Sequence, residues 1–288
     1  MDLHKRKRII GVDLGGTKVE AGLVDGTVII KKKYSLIDNK SKDAMVVINQ
    51  VINVISDLFD ETVKGIGIGV PSLVNRDKGI VHYVQNIPSW KEVHLSEILQ
   101  KKFNVPVYLD NDANCFAYGE YKFGQGKGCD NFVGITIGTG MGSGIITNGH
   151  LLKDANCGSG EFGSIPYLKG IYEDYCSGKF FKTNYNKTGE EIFLQAKKGD
   201  FEALKTFKEF GFHLGNVIKT IMFYVDPKMI IIGGSVSRSK DFFIESMTKS
   251  IKDFPSIESV KNLKIRFTNT QNIAILGAAS IFFDRTKS

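Results

Sequence analysis

Hydrophobic positions in this chain switch repeatedly between the two-residue period of a strand and the i, i+3, i+4 spacing of a helix. Ile9-Ile10-Gly11-Val12-Asp13 predicts a buried strand, and residues 19–24 predict a second, with apolar side chains at alternate positions. Between them, Leu14-Gly15-Gly16-Thr17-Lys18 reads as a glycine turn. β-rich runs at 28–34 and 63–70 bracket a helical pattern in which Ala44, Val47, Ile48, Val51, Val54, Ile55 and Leu58 form one apolar stripe. An amphipathic segment at 95–103 precedes a strand at 105–109. Asn111-Asp112 then opens a helix running to about residue 121; Asn and Asp suit that place because their side chains satisfy free backbone amides.

The second half begins the same way. Residues 131–137 predict a strand, Gly138-Thr139-Gly140-Met141-Gly142-Ser143-Gly144 a glycine turn, and 145–147 a return to β structure. A long helix at about 201–224 leads through Asp226-Pro227 into a strand at 229–232 that ends in Gly233-Gly234-Ser235. A last strand is expected at 264–267 and a last helix at 273–283. Two halves that each open strand, glycine turn, strand and continue with helices and strands predict an α/β fold with a mixed sheet in each lobe. The first lobe is expected over 1–110, with 273–288 packing back on it, and the second over 111–272. No short-period repeat or low-complexity segment interrupts the pattern.

Composition narrows the class. The 288 residues are enough for two domains, and 42% hydrophobic with 24% charged residues is ordinary for a soluble globular protein. No apolar run approaches the roughly 18 residues that span a bilayer. The basic start, Met1 to Arg8, enters a strand with no apolar signal segment, so a cytoplasmic location without membrane attachment is expected. The net charge of +7 comes from lysines scattered along the chain, not interleaved with aromatics, which argues against nucleic acid as a partner. Cys115, Cys129, Cys157 and Cys176 contain no CxxC pair and read as reduced thiols, with no case for zinc.

Both glycine turns lie between strands. Dinucleotide and Walker-type fingerprints need a helix after the glycines, so neither applies. What remains is a pair of hairpins whose glycines allow φ > 0 and close backbone approach, and whose successive amides can cradle anions. Two of them facing each other across a cleft would hold a polyphosphate. Asp13, at the end of its apolar strand, suits a carboxylate that holds Mg²⁺ through water, since magnesium takes only one or two carboxylates and keeps several waters.

Taken in order, Asp13-Leu14-Gly15-Gly16-Thr17-Lys18, Asn111-Asp112-Ala113-Asn114, Ile137 to Gly144, Gly160-Glu161-Phe162-Gly163 and Ile232-Gly233-Gly234 resemble the motifs of the ROK family (repressors, open reading frames and kinases). The resemblance covers essentially the whole chain. It implies the two-lobed actin-like ATPase (ribonuclease H-like) fold, with sugar and ATP in the cleft between the lobes. It further implies that Asp13, Gly15, Gly16, Thr17 and Lys18, then Gly138, Thr139, Gly140 and Gly142, bind phosphate, and that Gly233 and Gly234 lie against the adenosine. Asp112 matches the family's catalytic base, and Pro71, Asn86, Asn111, Asp112, Glu161 and Glu173 its sugar pocket. A sugar hydroxyl needs a positioned acceptor as it attacks the γ-phosphoryl group, and negative charge is favoured at a helix N-terminus. Trp90 is expected to pack rather than touch sugar.

One departure stands out. The family usually continues from Gly-Glu-x-Gly to a histidine and a cysteine-rich zinc loop before its glutamate. Here Ser164 stands at the histidine position, and 164–172 is short and has no cysteine. A zinc-free variant is expected, with a loop packed around Ile165, Pro166, Tyr167 and Ile171. The expected activity is ATP-dependent phosphorylation of a hexose, glucose first, with fructose, N-acetylglucosamine and N-acetylmannosamine as alternatives, by a homodimer. The competing expectations are a sugar-sensing protein without catalysis and an acyl kinase of the same fold; the latter is disfavoured by the sugar motifs. A DNA-binding repressor is disfavoured because only eight residues precede Ile9.

Overall fold

The structure, a computed structural model, describes residues 8–84, 86–153 and 155–285. The basic segment at 1–7, Gln85 and the last three residues of the expected returning segment lie outside the described residues.

The strands β1 (Arg8–Leu14), β2 (Lys18–Asp25) and β3 (Val28–Leu36) lead into α1 (Ala44–Ser56) and β4 (Val63–Val70). Three short strands follow, β5 (Leu73–Asn75), β6 (Ile80–His82) and β7 (Glu92–Val93), then α2 (Leu95–Phe103), β8 (Val107–Asn111) and α3 (Asp112–Phe123). Next come β9 (Phe132–Ile137), β10 (Met141–Thr147), β11 (His150–Leu151), β12 (Pro166–Tyr167) and β13 (Gly170–Ile171), then α4 (Tyr172–Cys176), α5 (Gly178–Tyr185), α6 (Gly189–Lys197) and α7 (Phe201–Val225). The chain closes with β14 (Met229–Gly233), α8 (Lys240–Ile251), α9 (Ile257–Asn262), β15 (Lys264–Phe267) and α10 (Ile273–Arg285).

The chain forms two compact units, one of Met1–Gly128, Ile146–Ser159 and Asn269–Ser288, the other of Cys129–Ile145 and Gly160–Thr268. In the first, a five-stranded sheet has the order β3-β2-β1-β4-β8; β1–β2 and β2–β3 are antiparallel, β1–β4 and β4–β8 parallel. The strand period assigns its faces. Ile10, Val12 and Leu14 of β1, with Ile66, Ile68 and Val70 of β4, join the apolar stripe of α1 and Leu95, Leu99 and Phe103 of α2 in one core. The intervening positions face α10 and α3, and several are glycines. A Cβ on Gly11 or Gly67 would overlap the Ile275 or Ala278 carbonyl, so α10 lies directly on the backbone of the sheet. At the crossing of α3 and α10, a Cβ on Gly277 would overlap the Cys115 carbonyl. This packing keeps α3 in the first unit, although the sequence reading opens the second lobe at residue 111.

In the second unit β10, β9, β14 and β15 are neighbours in that order, β14 running parallel to both β9 and β15. The long helix α7 packs along α8, where Gly211 and Gly215 admit Phe243, Met247 and Ser250.

Candidate functional site

In the first unit the parallel strands β1, β4 and β8 end together. Asp13 is the partner of Gly69, Gly69 of Asp110, and Val70 of Asn111. Asp13 shares the face of Gly11, which is the face against α3 and α10. A Cβ on Gly69 would lie 2.9 Å from Cys115 Sγ and 3.4 Å from the Cα of Asp112. Asp13, Pro71, Asn111 and Asp112 therefore gather at the carboxyl ends of parallel strands, where ligands of open α/β sheets bind.

Asp13 is half-buried, and its carboxyl is pushed up to about 6, first by burial and then by Glu20, against the opposing pull of Lys18 and Lys32. Those lysines are engaged with Glu20, at 2.8 and 3.1 Å. A lone carboxylate in this condition suits a divalent cation that keeps its own waters. The glycine turn beside it closes through Gly15 N donating to Lys18 O at 2.8 Å, and leaves Thr17 exposed. Gly15 and Gly16 do not adopt left-handed φ. Glycine is needed at 16 for close approach, since a Cβ there would stand 2.6 Å from Cβ of Asn86. Asn86 is thus brought against the first turn. Trp90 is 1% exposed, its Nε1 donating to Ala44 O at 3.2 Å, and it packs in the core.

The strand β8 runs two residues beyond the predicted end. Asn111 is the N-cap of α3: its Oδ1 accepts from Ala113 N at 2.8 Å, and its Nδ2 donates to Ser72 O at 3.1 Å. Asp112 is the first helical residue and also accepts from Ala113 N, at 2.9 Å. Asp110, which the sequence reading passed over, is fully buried. It pairs with Arg76 Nε at 3.1 Å and accepts from Asn114 Nδ2 and Asn111 N, both at 2.8 Å. Burial raises its carboxyl, and Arg76 opposes this. A charge closing an otherwise apolar strand was the available signal for this network.

In the second unit the other glycine turn closes through Gly138 N donating to Gly140 O at 2.9 Å, with Thr139 exposed. None of Gly138, Gly140 and Gly142 has left-handed φ; at Gly140 space decides. A Cβ on Gly140 would lie 2.5 Å from Glu173 Oε2, and one on Gly138 3.8 Å from Ser235 Oγ. Gly178, at the N-terminus of α5, donates to Gly138 O at 2.7 Å. Gly234 does need its glycine, at φ 87°, where a Cβ would overlap Ile137 O. Residues 138–142, 233–235 and 178 are therefore one cluster.

Glu173 joins it. Its Oε2 accepts from Met141 N at 2.8 Å and its Oε1 from Lys179 Nζ at 2.5 Å. Lys179 was not anticipated; no local pattern links it to Glu173. The Glu161 carboxyl is raised by its surroundings and by Glu173, and lowered by the Ser164 hydroxyl. The segment after Ser164 is the β12–β13 hairpin, in which Ile165, Tyr167 and Ile171 are half-buried and Tyr167 stacks on Tyr172; Pro166, expected to pack, is exposed. These residues do not fit zinc. Cys176 is fully buried with its thiol pushed up by burial, and no three His, Cys, Asp or Glu side chains are grouped for a metal among the described residues.

Two lobes, each with a mixed sheet and a glycine hairpin opening it, define a chain of the actin-like ATPase fold as sugar kinases use it. The chain belongs to the ROK family, which matches residues 9–285. It is 30% identical to a glucokinase of Thermotoga maritima, over 96% of this chain and 98% of that one. A ROK family glucokinase from Streptomyces griseus, solved in complex with glucose and AMPPNP, superposes with a TM-score of 0.81 at 26% identity, over 95% and 98% of the two chains. A xylose repressor of Bacillus subtilis is 29% identical over 96% of this chain and 77% of its own length. No described helix is long and apolar enough to cross a membrane.

Proposed function

We propose that this protein is an ATP-dependent hexose kinase that transfers the γ-phosphoryl group to a sugar hydroxyl, with glucose as first substrate. The observation that carries this reading is Asp112 at the first position of α3, capped by Asn111 and adjoining Asp13 across Gly69. The whole-length likeness to a glucokinase supports it.

Asp112 accepts the proton as the hydroxyl oxygen bonds to the γ-phosphorus and the bond from that phosphorus to the ADP oxygen breaks. Asp13 would hold Mg²⁺ through water, and the ion supplies charge neutralisation on the phosphates when bound. Gly15, Gly16, Thr17 and Lys18 bind phosphate from the first unit, and Gly138, Thr139, Gly140 and Gly142 from the second. Gly233 and Gly234 lie against adenosine. Sugar binding falls to Pro71, Asn86 and Asn111 of the first unit and to Glu161 and Glu173 of the second.

The test is ADP release across glucose, fructose, mannose, N-acetylglucosamine and N-acetylmannosamine, repeated with Asp112→Asn. Turnover with at least one hexose is expected, falling by at least ~10²-fold in the variant, the scale of general-base loss. The repressor relative gives a sensing role without catalysis as the second reading. Sugar binding without turnover on all five sugars would establish that role instead.

A further inference from the structure

The second unit contains a polar aromatic cluster that the phosphate chemistry does not use. Tyr167, on the β12–β13 hairpin, stacks on Tyr172 with ring centroids 4.3 Å apart and 17° between planes. It meets Tyr175 and His213 edge-on at 5.3 and 5.7 Å. Its Oη accepts from Asn216 Nδ2 at 3.1 Å and lies 3.0 Å from Nδ1 of His213, which is 6% exposed. Either Oη donates to Nδ1 or Nδ1–H donates to Oη, according to the imidazole tautomer, and Nε2 of His213 faces Glu209 Oε1 at 3.7 Å. The partners have a common origin: His213, Asn216 and Thr220 are three and four apart along α7 and so share one helical face. Thr220 Oγ1 is 2.7 Å from Tyr172 Oη.

What the cluster holds is the residue that matters. Tyr172 immediately precedes Glu173, and its backbone N donates to Ile165 O at 3.0 Å, closing the hairpin onto α4. Asp174, just after Glu173, accepts from Ile171 N at 3.1 Å. Five-residue α4 is too short to be stable alone, so its placement comes from these contacts. From α4, Glu173 reaches the Met141 amide of the second glycine turn.

We infer that Tyr167, His213 and Asn216 are positioning residues: a hydrogen-bonded aromatic clasp from α7 that sets Glu173 against the second glycine turn. The inference rests on the proposed place of Glu173 in the sugar pocket. It assigns to side chains of this chain the anchoring of a hairpin whose residues do not fit a metal ion. Tyr167 does two separable jobs. Its ring supplies stacking on Tyr172, and its Oη joins α7 to the hairpin.

Tyr167→Phe separates them, since it deletes only Oη. The expected result is a sugar KM raised about three- to tenfold, the scale of one net hydrogen bond, with kcat and the KM for MgATP within about twofold. Asn216→Ala should act through the same atom, so the double variant should be no worse than the worse single one. Hydrogen exchange gives a readout that needs no turnover: amides of 166–176 and of Met141 should exchange faster in Tyr167→Phe, while those of β1, β4 and β8 should not. If no hexose is turned over by the unmodified protein, the kinase reading fails, and the exchange pattern still decides whether the clasp exists. Unchanged exchange at 166–176 and Met141, loosening spread evenly over the chain, or multiplicative effects of the two substitutions would each overturn the inference.

Discussion

Asp13→Asn removes a charge while keeping shape, and the geometry around Asp13 gives the outcome a sign. Its carboxyl titrates at about 6 in the folded protein, against an ordinary 3.8, because burial and Glu20 disfavour the ionised form. Below about pH 3 the group is protonated in the folded and unfolded chains alike, and costs nothing. As pH rises the unfolded chain ionises first and the folded chain only near 6. Stability is therefore lost across that window, and the full cost is present above it. The displacement corresponds to about 3 kcal/mol at 1.36 kcal/mol per pH unit, and water reaching the half-buried carboxylate reduces it to about 1–2 kcal/mol. For a chain of this size that is a rise in Tm of about 2–3 °C for Asp13→Asn at pH 7.5 without divalent ions, vanishing near pH 3. Differential scanning fluorimetry of both proteins at the two pH values measures it. Added Mg²⁺ with nucleotide should stabilise the unmodified protein more than the variant, and the variant should lose most of its turnover. A variant less stable than its parent at pH 7.5, or a gain that persists undiminished at pH 3, would refute the placement of Asp13 as a strained anion awaiting a cation.

Three further outcomes follow from the packing. Arg76→Ala leaves the fully buried Asp110 unpaired and should cost about 3–5 kcal/mol in denaturant unfolding, with part recovered in the double variant carrying Asp110→Asn. Gly277→Ala drives a methyl into the Cys115 carbonyl at the crossing of α3 and α10, and should cost about 1–3 kcal/mol, read by the same titration. Zinc chelators should leave Tm unchanged and metal analysis should find no stoichiometric zinc, because Cys176 is sealed in the core.

The strands β1, β9 and β14 were legible because each is an apolar run that leads into a glycine turn. Residues 63–70 and 95–103 have the bounds expected from their periods. The cap at Asn111 was legible for a local reason, the short polar side chain ahead of a helix. β8 extends to Asn111 because its ladder with β4 continues as far as Val70, which a single strand's pattern cannot display. The helices α4 and α5 are short and rich in aromatics, so their apolar residues answer to α7 and lack a clear period of their own. Of the two reasons read for glycine, φ > 0 and close approach, only close approach holds at Gly16 and Gly140, where a neighbouring side chain, Asn86 or Glu173, occupies the space of a Cβ. Arg76–Asp110 and Lys179–Glu173 are pairings across sequence distance. Only the fold brings them together, and the same holds for Tyr167 with His213.

The polar groups of the proposed sugar pocket already have partners, and this sharpens their role. Asn111 is held at both ends of its amide, by Ala113 N and Ser72 O, and Glu173 at both oxygens, by Met141 N and Lys179. None of these bonds exhausts the group. An amide retains a second N–H and a second lone pair, and a carboxylate oxygen engaged once can accept again. A hydroxyl arriving at Asn111 or Glu173 would therefore meet a donor or acceptor whose direction is fixed in advance. The chain has paid the rotamer entropy of orienting it during folding, and binding need not. A sugar whose hydroxyls miss those directions leaves oriented groups unmatched, and that loss is what discriminates between hexoses. If Asn111 and Glu173 bind the sugar as proposed, sugar choice is written less in their identities than in what points each of them: Ser72 and the α3 cap for Asn111, Lys179 and the Tyr167 clasp for Glu173.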